Sequence, residues 1–507
     1  MITFGKTGAG ITALSIFMTG SAAFADVSPR QVWDDWKGYM TGFGYDVQGS
    51  ESAAGGTLTV TDITMSIPLP EGAGRVSLAV PELGFADNGD GTVSVQVPPV
   101  LPMAIDVESP DSEDVSMTID YLTDGFSMVV AGDDSNLSYD YAAASLTVAL
   151  KNLIVEGETA EVGTAEMQVT DLAGTTTMTL GDLRVADQNM TTGPVTYTID
   201  FEDPEGGEGR MVMNGGIDSL GFAGTGRFPM DMNVSDMAAM LAAGFAFDSK
   251  FTWSGGASSF NFQESGDTVQ GSSKTEKGAF SVAMDESQLM YAGSASNMQL
   301  QMMGGDIPFP VELALAESGF SLKMPISKSD EAQDYALSLT LGDFTMSDMI
   351  WGMFDPAGQL PRDPATIALD LSGKARMFFD LMDPDQIESL DGGEMMPGEL
   401  NAVSLNNLTV RAAGAELTGS GGFTFDNADL QTFGGVPAPD GAVDLKLVGG
   451  NGLLDKLVAM GLLPEEQAQG ARMMMGLFAV PSGDDTLTSK IEVKPDGQIL
   501  ANGQRLQ

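Results

Sequence analysis

The 507-residue chain contains no cysteine and no histidine. Without thiols no disulfide can staple it, so its stability has to come from burial and backbone pairing. The same two absences remove the Ser-His-Asp triad, the Cys-His nucleophile and zinc sites built on imidazole or thiolate. A Ser-Lys dyad or a carboxylate pair survives that cut. Basic residues are scarce too: 23 Lys and Arg against 71 Asp and Glu give a formal charge of -48. A duplex-binding protein needs clustered cations to release counterions, and none cluster here, so no nucleic-acid partner is expected. Contact with bare anionic headgroups is disfavoured as well. The acid excess reads as a solvated surface that maintains solubility. Tryptophan and tyrosine number only 4 and 8, few for the stacking platforms of a sugar cleft, and 71 acids offer too many pairs for spacing to single out a glycosidase couple. No stretch of the mature chain reaches the ~20 apolar residues of a membrane helix. Hydrophobic content of 43% nevertheless argues against wholesale disorder.

What is present begins with the first 25 residues. Lys6 supplies a positive n-region, Ile11 to Met18 a short apolar core, and Ala23-Phe24-Ala25 a small-x-small site before Asp26. That is the layout of a secretory signal peptide, set against the reading of an uncleaved anchor or a chance apolar start. The expectation is export, cleavage after Ala25 and a periplasmic location.

Beyond it, period-two alternation dominates, the mark of half-buried strands. Leu58 and Val60 alternate with threonines, followed by Ile63, Met65 and Ile67. Val311-Leu313-Leu315, Tyr335-Leu337-Leu339-Leu341, Ile367-Leu369-Leu371 and Val443-Leu445-Leu447 obey the same rule. Turn signals such as Asn88-Gly89-Asp90-Gly91 and Pro495-Asp496-Gly497 punctuate them. The expected fold is mainly β, with large curved antiparallel sheets and a few short docked helices.

Those helices are expected after the Ser28-Pro29 cap, near Ser235 to Gly244, over Ser347 to Phe354, and as a pair at Leu453 to Met460 and Pro464 to Phe478. The division is a leader at 1–25, a β-rich region at 26–345 and a β-rich region with helices at 346–507, or one continuous sheet through both. Asp203-Pro204-Glu205-Gly206-Gly207 and Val436 to Gly441 are further candidate boundaries, equally readable as surface loops. Two internal echoes stand out: Thr179-Leu180-Gly181-Asp182 with Thr340-Leu341-Gly342-Asp343, and Asn152-Leu153-x-Val155 with Asn407-Leu408-x-Val410. Gly-Asp between apolar runs reads as a hairpin turn.

Asp87, Asn88 and Asp90 resemble a calcium loop in composition, but the EF-hand register puts Val97 where the closing acid belongs. Asp111, Glu113 and Asp114 form a second acidic knot. A solvated hairpin tip explains both, and no catalytic, cofactor-binding or metal residue is assigned. The 33 methionines are the main compositional excess, with Met298, Met302 and Met303 close together and Met473, Met474 and Met475 consecutive. Flexible thioethers recur on surfaces that accept varied apolar partners, and they also fill irregular sheet cores.

The segment Trp351-x-x-Phe354-Asp355-Pro356-x-Gly358-x-Leu360-Pro361-x-Asp363-Pro364, with Leu453-Leu454-Asp455-Lys456-Leu457, Gly461-Leu462-Leu463 and Gly497-x-Ile499-x-x-Asn502-Gly503, resembles an uncharacterised family of alpha-proteobacterial envelope proteins known only as a domain of unknown function. Ala415-Glu416-Leu417-Thr418-Gly419-Ser420-Gly421 is similar to the AsmA-like envelope proteins. That second resemblance implies long curved sheets associated with lipid handling. Neither resemblance supplies catalytic residues. The expected function is a non-catalytic periplasmic binding or scaffold protein without a cofactor, partnered by a lipid or another envelope protein. An outer-membrane β-barrel and an acidic carboxylate-based hydrolase are the alternatives.

Overall fold

A computed structural model describes residues 26–69, 73–110, 114–160, 163–202, 209–230, 232, 236–264, 266–305, 307–388 and 396–506. The leader, Asp111, Glu113, Ser235 and the 203–207 boundary fall outside the described residues. Strand accounts for 65% of the chain and helix for 12%, so the β-dominated expectation holds.

The chain enters through α1 (Pro29–Gly42), where Ser28 and Gln31 form a reciprocal capping box and Pro29 takes the first helical position. Val32 and Trp33 on its buried stripe are almost fully removed from solvent. Nine strands follow: β1 (Asp46–Ala54), β2 (Thr57–Pro68), β3 (Arg75–Asp87), β4 (Val93–Gln96), β5 (Val100–Glu108), β6 (Val115–Asp124), β7 (Ser127–Gly132), β8 (Asn136–Val155) and β9 (Glu158–Ala160). The middle of the chain holds β10 (Thr164–Leu180), β11 (Leu183–Thr192), β12 (Val195–Glu202), β13 (Arg210–Pro229), the short α2 (Met237–Ala242), β14 (Ala246–Glu264), β15 (Asp267–Met284), β16 (Gln288–Gly304), β17 (Ile307–Pro325) and β18 (Gln333–Met346). Then come α3 (Asp348–Phe354), β19 (Ala365–Met377), α4 (Pro384–Glu388), β20 (Gly398–Ala412), β21 (Ala415–Asp426) and β22 (Ala438–Val448). The chain finishes with α5 (Gly450–Ala459), α6 (Glu465–Phe478), β23 (Val480–Gly483), β24 (Thr486–Val493), β25 (Ile499–Ala501) and β26 (Gln504–Arg505). The helices expected from sequence are present, α2 and α5 with shifted ends; α4 was not foreseen.

All strands join one antiparallel sheet. β4 and β5 lie along β3, β7 and β6 lie along them in turn, and both rest on β8. β10 follows β8, and β11 and β12 together bridge β10 to β13. From β13 to β22 each strand pairs with its neighbours in sequence. The sheet runs through residue 346 without a break, because β17, β18 and β19 pair continuously. Val436 to Gly441, read as a candidate boundary, instead leads into β22.

The sheet is open. Among the described residues β1 pairs with β2 alone and nothing joins it to β25 or β26. Its edge carries Asp46 and Glu51 and a register irregularity between Gln48 and Ser50, devices that discourage a foreign strand from adding there.

Several long strands contain a mid-strand residue in left-handed conformation: Asp62, Asp171, Gly255, Asn297 and Asp343. Asp, Asn and Gly tolerate that region best. Asp62 and Asp343 coincide with register shifts, the mark of a bulge, whereas at Asp171, Gly255 and Asn297 the alternation changes phase with equal numbers of residues on the paired strands. The Gly342-Asp343 echo is therefore corrected: Gly181-Asp182 does connect β10 to β11, but Gly342-Asp343 lies inside β18 as such a bulge. The second echo places both of its parts before tight hairpins, at Glu156-Gly157 and Ala413-Gly414, each with positive φ at both positions.

Candidate functional site

Residues directly opposite in an antiparallel ladder project to the same face. Following the register from β11 to β22 gives one row: Met190, Phe222, Phe251, Phe280, Gly293, Phe320, Leu339, Leu369, Leu408, Gly419 and Leu445. The next row on that face, from β15 to β24, is Val282, Tyr291, Leu322, Leu337, Leu371, Leu405, Gly421, Val443 and Ile491. Neither row contains a charge. The first crosses ten inter-strand spacings, about 48 Å at 4.8 Å each. One residue along, the opposite face reads Ala223, Lys250, Ser281, Ala292, Ser321, Ser338, Asp370 and Asn407. Small, polar and charged side chains are thus segregated from large apolar ones across the whole meander.

These interruptions preserve this segregation. In β14 the apolar face passes from Trp253 to Gly256 and on to Phe260 and Phe262, and in β18 from Leu341 to Phe344. Met298 and Met302 lie on the apolar face, opposite Leu315 and Val311, whereas Met303 points the other way. Met473 and Met474 are exposed on α6.

Aromatic rings on this face lie down over glycines of the adjacent strand. Tyr141 covers Gly174, Trp253 covers Gly278, Phe260 covers Gly271, Phe320 covers Gly293 and Tyr335 covers Gly373. A methyl added at any of these glycines would come within 2.0 to 2.6 Å of the aromatic side chain. The glycines admit the rings, and the rings supply the apolar cover that glycine lacks. Among the described residues no second layer covers the middle of the face: Phe320, Leu339 and Ile367 keep 45%, 40% and 47% of their surface.

One rim of the face is sealed. α1 packs Trp33 and Trp36 against Phe85 of β3, and Tyr39 and Phe43 against Phe228 of β13. A single helix touching both β3 and β13 requires the sheet between them to wrap round it, apolar face inward. Further along the same rim, Met240 and Leu241 of α2, Ile326, Leu381 and Met382 close over Phe247, Met284, Leu289 and Met324. α1 is also locked by charge. Asp35 pairs with Arg184 of β11 at 2.8 Å, both side chains over nine-tenths buried. Asp35 accepts a second hydrogen bond, 3.0 Å, from the Tyr139 hydroxyl. Burial pushes the Tyr139 phenol well above its ordinary value, and the Asp35 charge adds to that. Arg184 completes the group over the Tyr39 ring, 5.1 Å from its centroid. Sequence reasoning missed this pair; its one signal is an acid lying between Trp33 and Trp36 on an otherwise apolar helix stripe.

The Asp87 to Asp90 loop is spoken for locally. Asp87 accepts from the Gly89 amide at 2.8 Å, and Asp90 from the Thr92 hydroxyl at 2.6 Å, an arrangement of turns within one hairpin loop. Among the described residues no group of three or more His, Cys, Asp or Glu is placed to hold a metal ion. In the tryptophan motif, Asp355 is 1% exposed. Its carboxylate accepts from the amides of Gln359 (2.9 Å) and Leu360 (2.7 Å) and organises the loop after α3. Burial works to raise its pKa, but those amides hold it below the ordinary value.

Several grooves lie on the polar face. One, about 820 Å³, is bordered by Asn214, Asp218, Ser259, Lys274, Glu276 and Gln299. It follows the line of phase changes at Gly255 and Asn297.

Among solved structures, "Crystal structure of ferric citrate transporter FecA in the unliganded form" matches with 8% identity over 90% of this chain and 76% of that chain. Its TM-score of 0.16 is too low to carry an argument about the fold. No curated protein matches the chain. Residues 250–497, from within β14 to just past β24, match the family model DUF2125, described as "Uncharacterized protein conserved in bacteria".

Proposed function

We propose that this protein is a non-catalytic binding protein of the cell envelope that shelters the acyl chains of lipids against its apolar face. One observation carries the reading: two adjoining rows of apolar residues cross eleven and nine strands without a charge and, among the described residues, without a covering layer. A chain laid there leaves water at a gain of about 0.8 kcal/mol per buried methylene. Met298 and Met302 add adaptable thioether surface where chains vary in shape. The opposite face, with Lys250, Asp370, Asp444 and Lys490, suits solution. The envelope address rests on Lys6, the apolar run Ile11 to Met18 and the Ala23/Ala25 pair.

A membrane barrel needs a closed sheet with its apolar belt outward. Here the sheet is open, and where it wraps α1 the apolar face is the inner one, which favours the binding reading.

Protein purified without detergent from its native envelope should release phospholipid or fatty acid, identified by mass spectrometry, in at least equimolar amount. Its N-terminus should be Asp26. Lipid-free protein that also ignores a fluorescent fatty acid would overturn the proposal.

A further inference from the structure

Helix α6 is apolar on two sides, and the molecule uses only one of them. Its inner stripe, Ala468, Ala471, Met475 and Phe478, is partly or wholly withdrawn from solvent. The Phe478 carbonyl accepts from the Ser489 hydroxyl at 2.6 Å and from the Asn502 side-chain amide at 2.9 Å, which pins the helix end beside β24 and β25. The outer stripe is Met473, Met474 and Leu477, 73%, 52% and 56% exposed, and Val480 of β23 follows it at 45%. A helix docked on a sheet ordinarily turns charge towards water. Here Glu465 and Glu466 sit in the first turn, Arg472 pairs with Asp455 of α5, and no residue from Met473 to Val480 is charged. Large apolar side chains grouped on a surface mark a contact site.

Charge decides which kind of contact. Residues 446–507 hold six Lys and Arg against seven Asp and Glu, whereas residues 1–445 hold 17 against 64. The nearly neutral end of a strongly acidic chain can approach a lipid surface, while anionic headgroups hold off the rest. The stripe also adjoins the apolar rows. Ser489, where α6 is pinned, lies opposite Leu445, the last of the first row, and two residues from Ile491, the last of the second.

We propose that α6 docks the protein on a bilayer rich in zwitterionic lipid, seating Met473, Met474 and Leu477 in the layer between headgroups and chains. Flexible thioethers suit so variable a surface. The proposal rests on the lipid reading above for its purpose, because docking brings the end of the apolar rows to the membrane. The contact itself is tested apart from that reading.

The chain has no cysteine, so a single introduced thiol is labelled specifically. Met473→Cys on α6 and Met396→Cys before β20 replace residues of matched exposure, 73% and 74%. Each variant carries an environment-sensitive fluorophore and is mixed with phosphatidylcholine vesicles. The Met473→Cys label should brighten at least twofold and shift to the blue, and the Met396→Cys label should stay unchanged. Phosphatidylglycerol mixed into the vesicles at low salt should weaken the response. Leu477→Asp, with circular dichroism matching the parent, should cut flotation of unlabelled protein with the vesicles at least threefold. A silent Met473→Cys label, equal responses at both positions, or a response that grows with phosphatidylglycerol would overturn docking through α6. So would a blue-shifted label and a dimer in sedimentation before vesicles are added, which would assign the stripe to a second copy of the chain. Fatty-acid uptake without a vesicle response would overturn the docking and leave the lipid reading; a vesicle response without uptake would do the opposite.

Discussion

The indole of Trp253 lies flat over Gly278 on the neighbouring strand, so close that a methyl group there would sit 2.0 Å from the ring. Gly278→Ala must tilt the indole or part the strands, and overpacking of this kind costs about 1–3 kcal/mol. Gly38 is the contrast: it lies within α1 with nothing within 4 Å of an added methyl. Gly38→Ala should stabilise by up to about 1 kcal/mol, the helix-propensity difference. Urea midpoints moving in opposite directions for the two variants would bear this out.

Asp35 and Arg184 should behave as a buried pair whose separation is costly. Removing either partner, as Asp35→Leu or Arg184→Met, leaves a charge without water or counterion, a loss of about 3–5 kcal/mol. The double variant removes both charges and should be more stable than either single change. A thermal melt followed by the fluorescence of Trp33 and Trp36 reports on α1 directly. If the double variant is less stable than both singles, the pair is not the lock described.

Acid should loosen the C-terminal region through Asp485. Its carboxylate accepts from the amides of Asn451 and Gly452 at 3.1 and 2.9 Å, tying the β23–β24 turn to the start of α5. Those amides hold its pKa below the ordinary value against a smaller effect of burial. A lowered folded-state pKa contributes stability above the unfolded value, about pH 4, that is lost as pH falls through the folded one. Asp485→Asn should be less stable at neutral pH and should lose less than the parent between about pH 4 and pH 2. Equal losses in both proteins would dismiss Asp485 as a contributor.

Leu339 and Ser294 separate the two faces in a binding assay. Leu339→Asp puts a carboxylate into the middle of the apolar row and should weaken uptake of a fluorescent fatty acid at least tenfold. Ser294 is exposed on the polar face between Gly293 and Ala295, and Ser294→Asp should leave uptake within twofold. Equal effects would mean that the apolar row is not where the chain lies.

Much of this architecture is written locally in the sequence. Tyr335-Leu337-Leu339-Leu341 declares β18 because its alternation matches the pleat, and Ser28-Pro29 declares α1 because the cap chemistry is local. The bulges were legible in principle: Leu341 and Phe344 are three apart where alternation requires two. What escaped notice depends on register and distance. That Gly278 admits Trp253 follows only once β14 and β15 are aligned. Asp35 meets Arg184 only after the intervening strands have wrapped round α1. Composition anticipated the methionine-bearing apolar surface but not the grooves on the polar side, whose lining follows from register.

The sequential pairing from β13 to β22 has a consequence for how the molecule assembles. Each hairpin gains its partner from the segment just before it, so little loop-closure entropy is spent on distant contacts. This part of the sheet can zip strand by strand, each finished strand serving as the template for the next. The wrapping of β1 to β13 round α1 is the opposite case. It joins residues far apart in the chain and has to wait until β11 and β13 exist, which makes closure of the N-terminal end, not the width of the sheet, the slow event in folding.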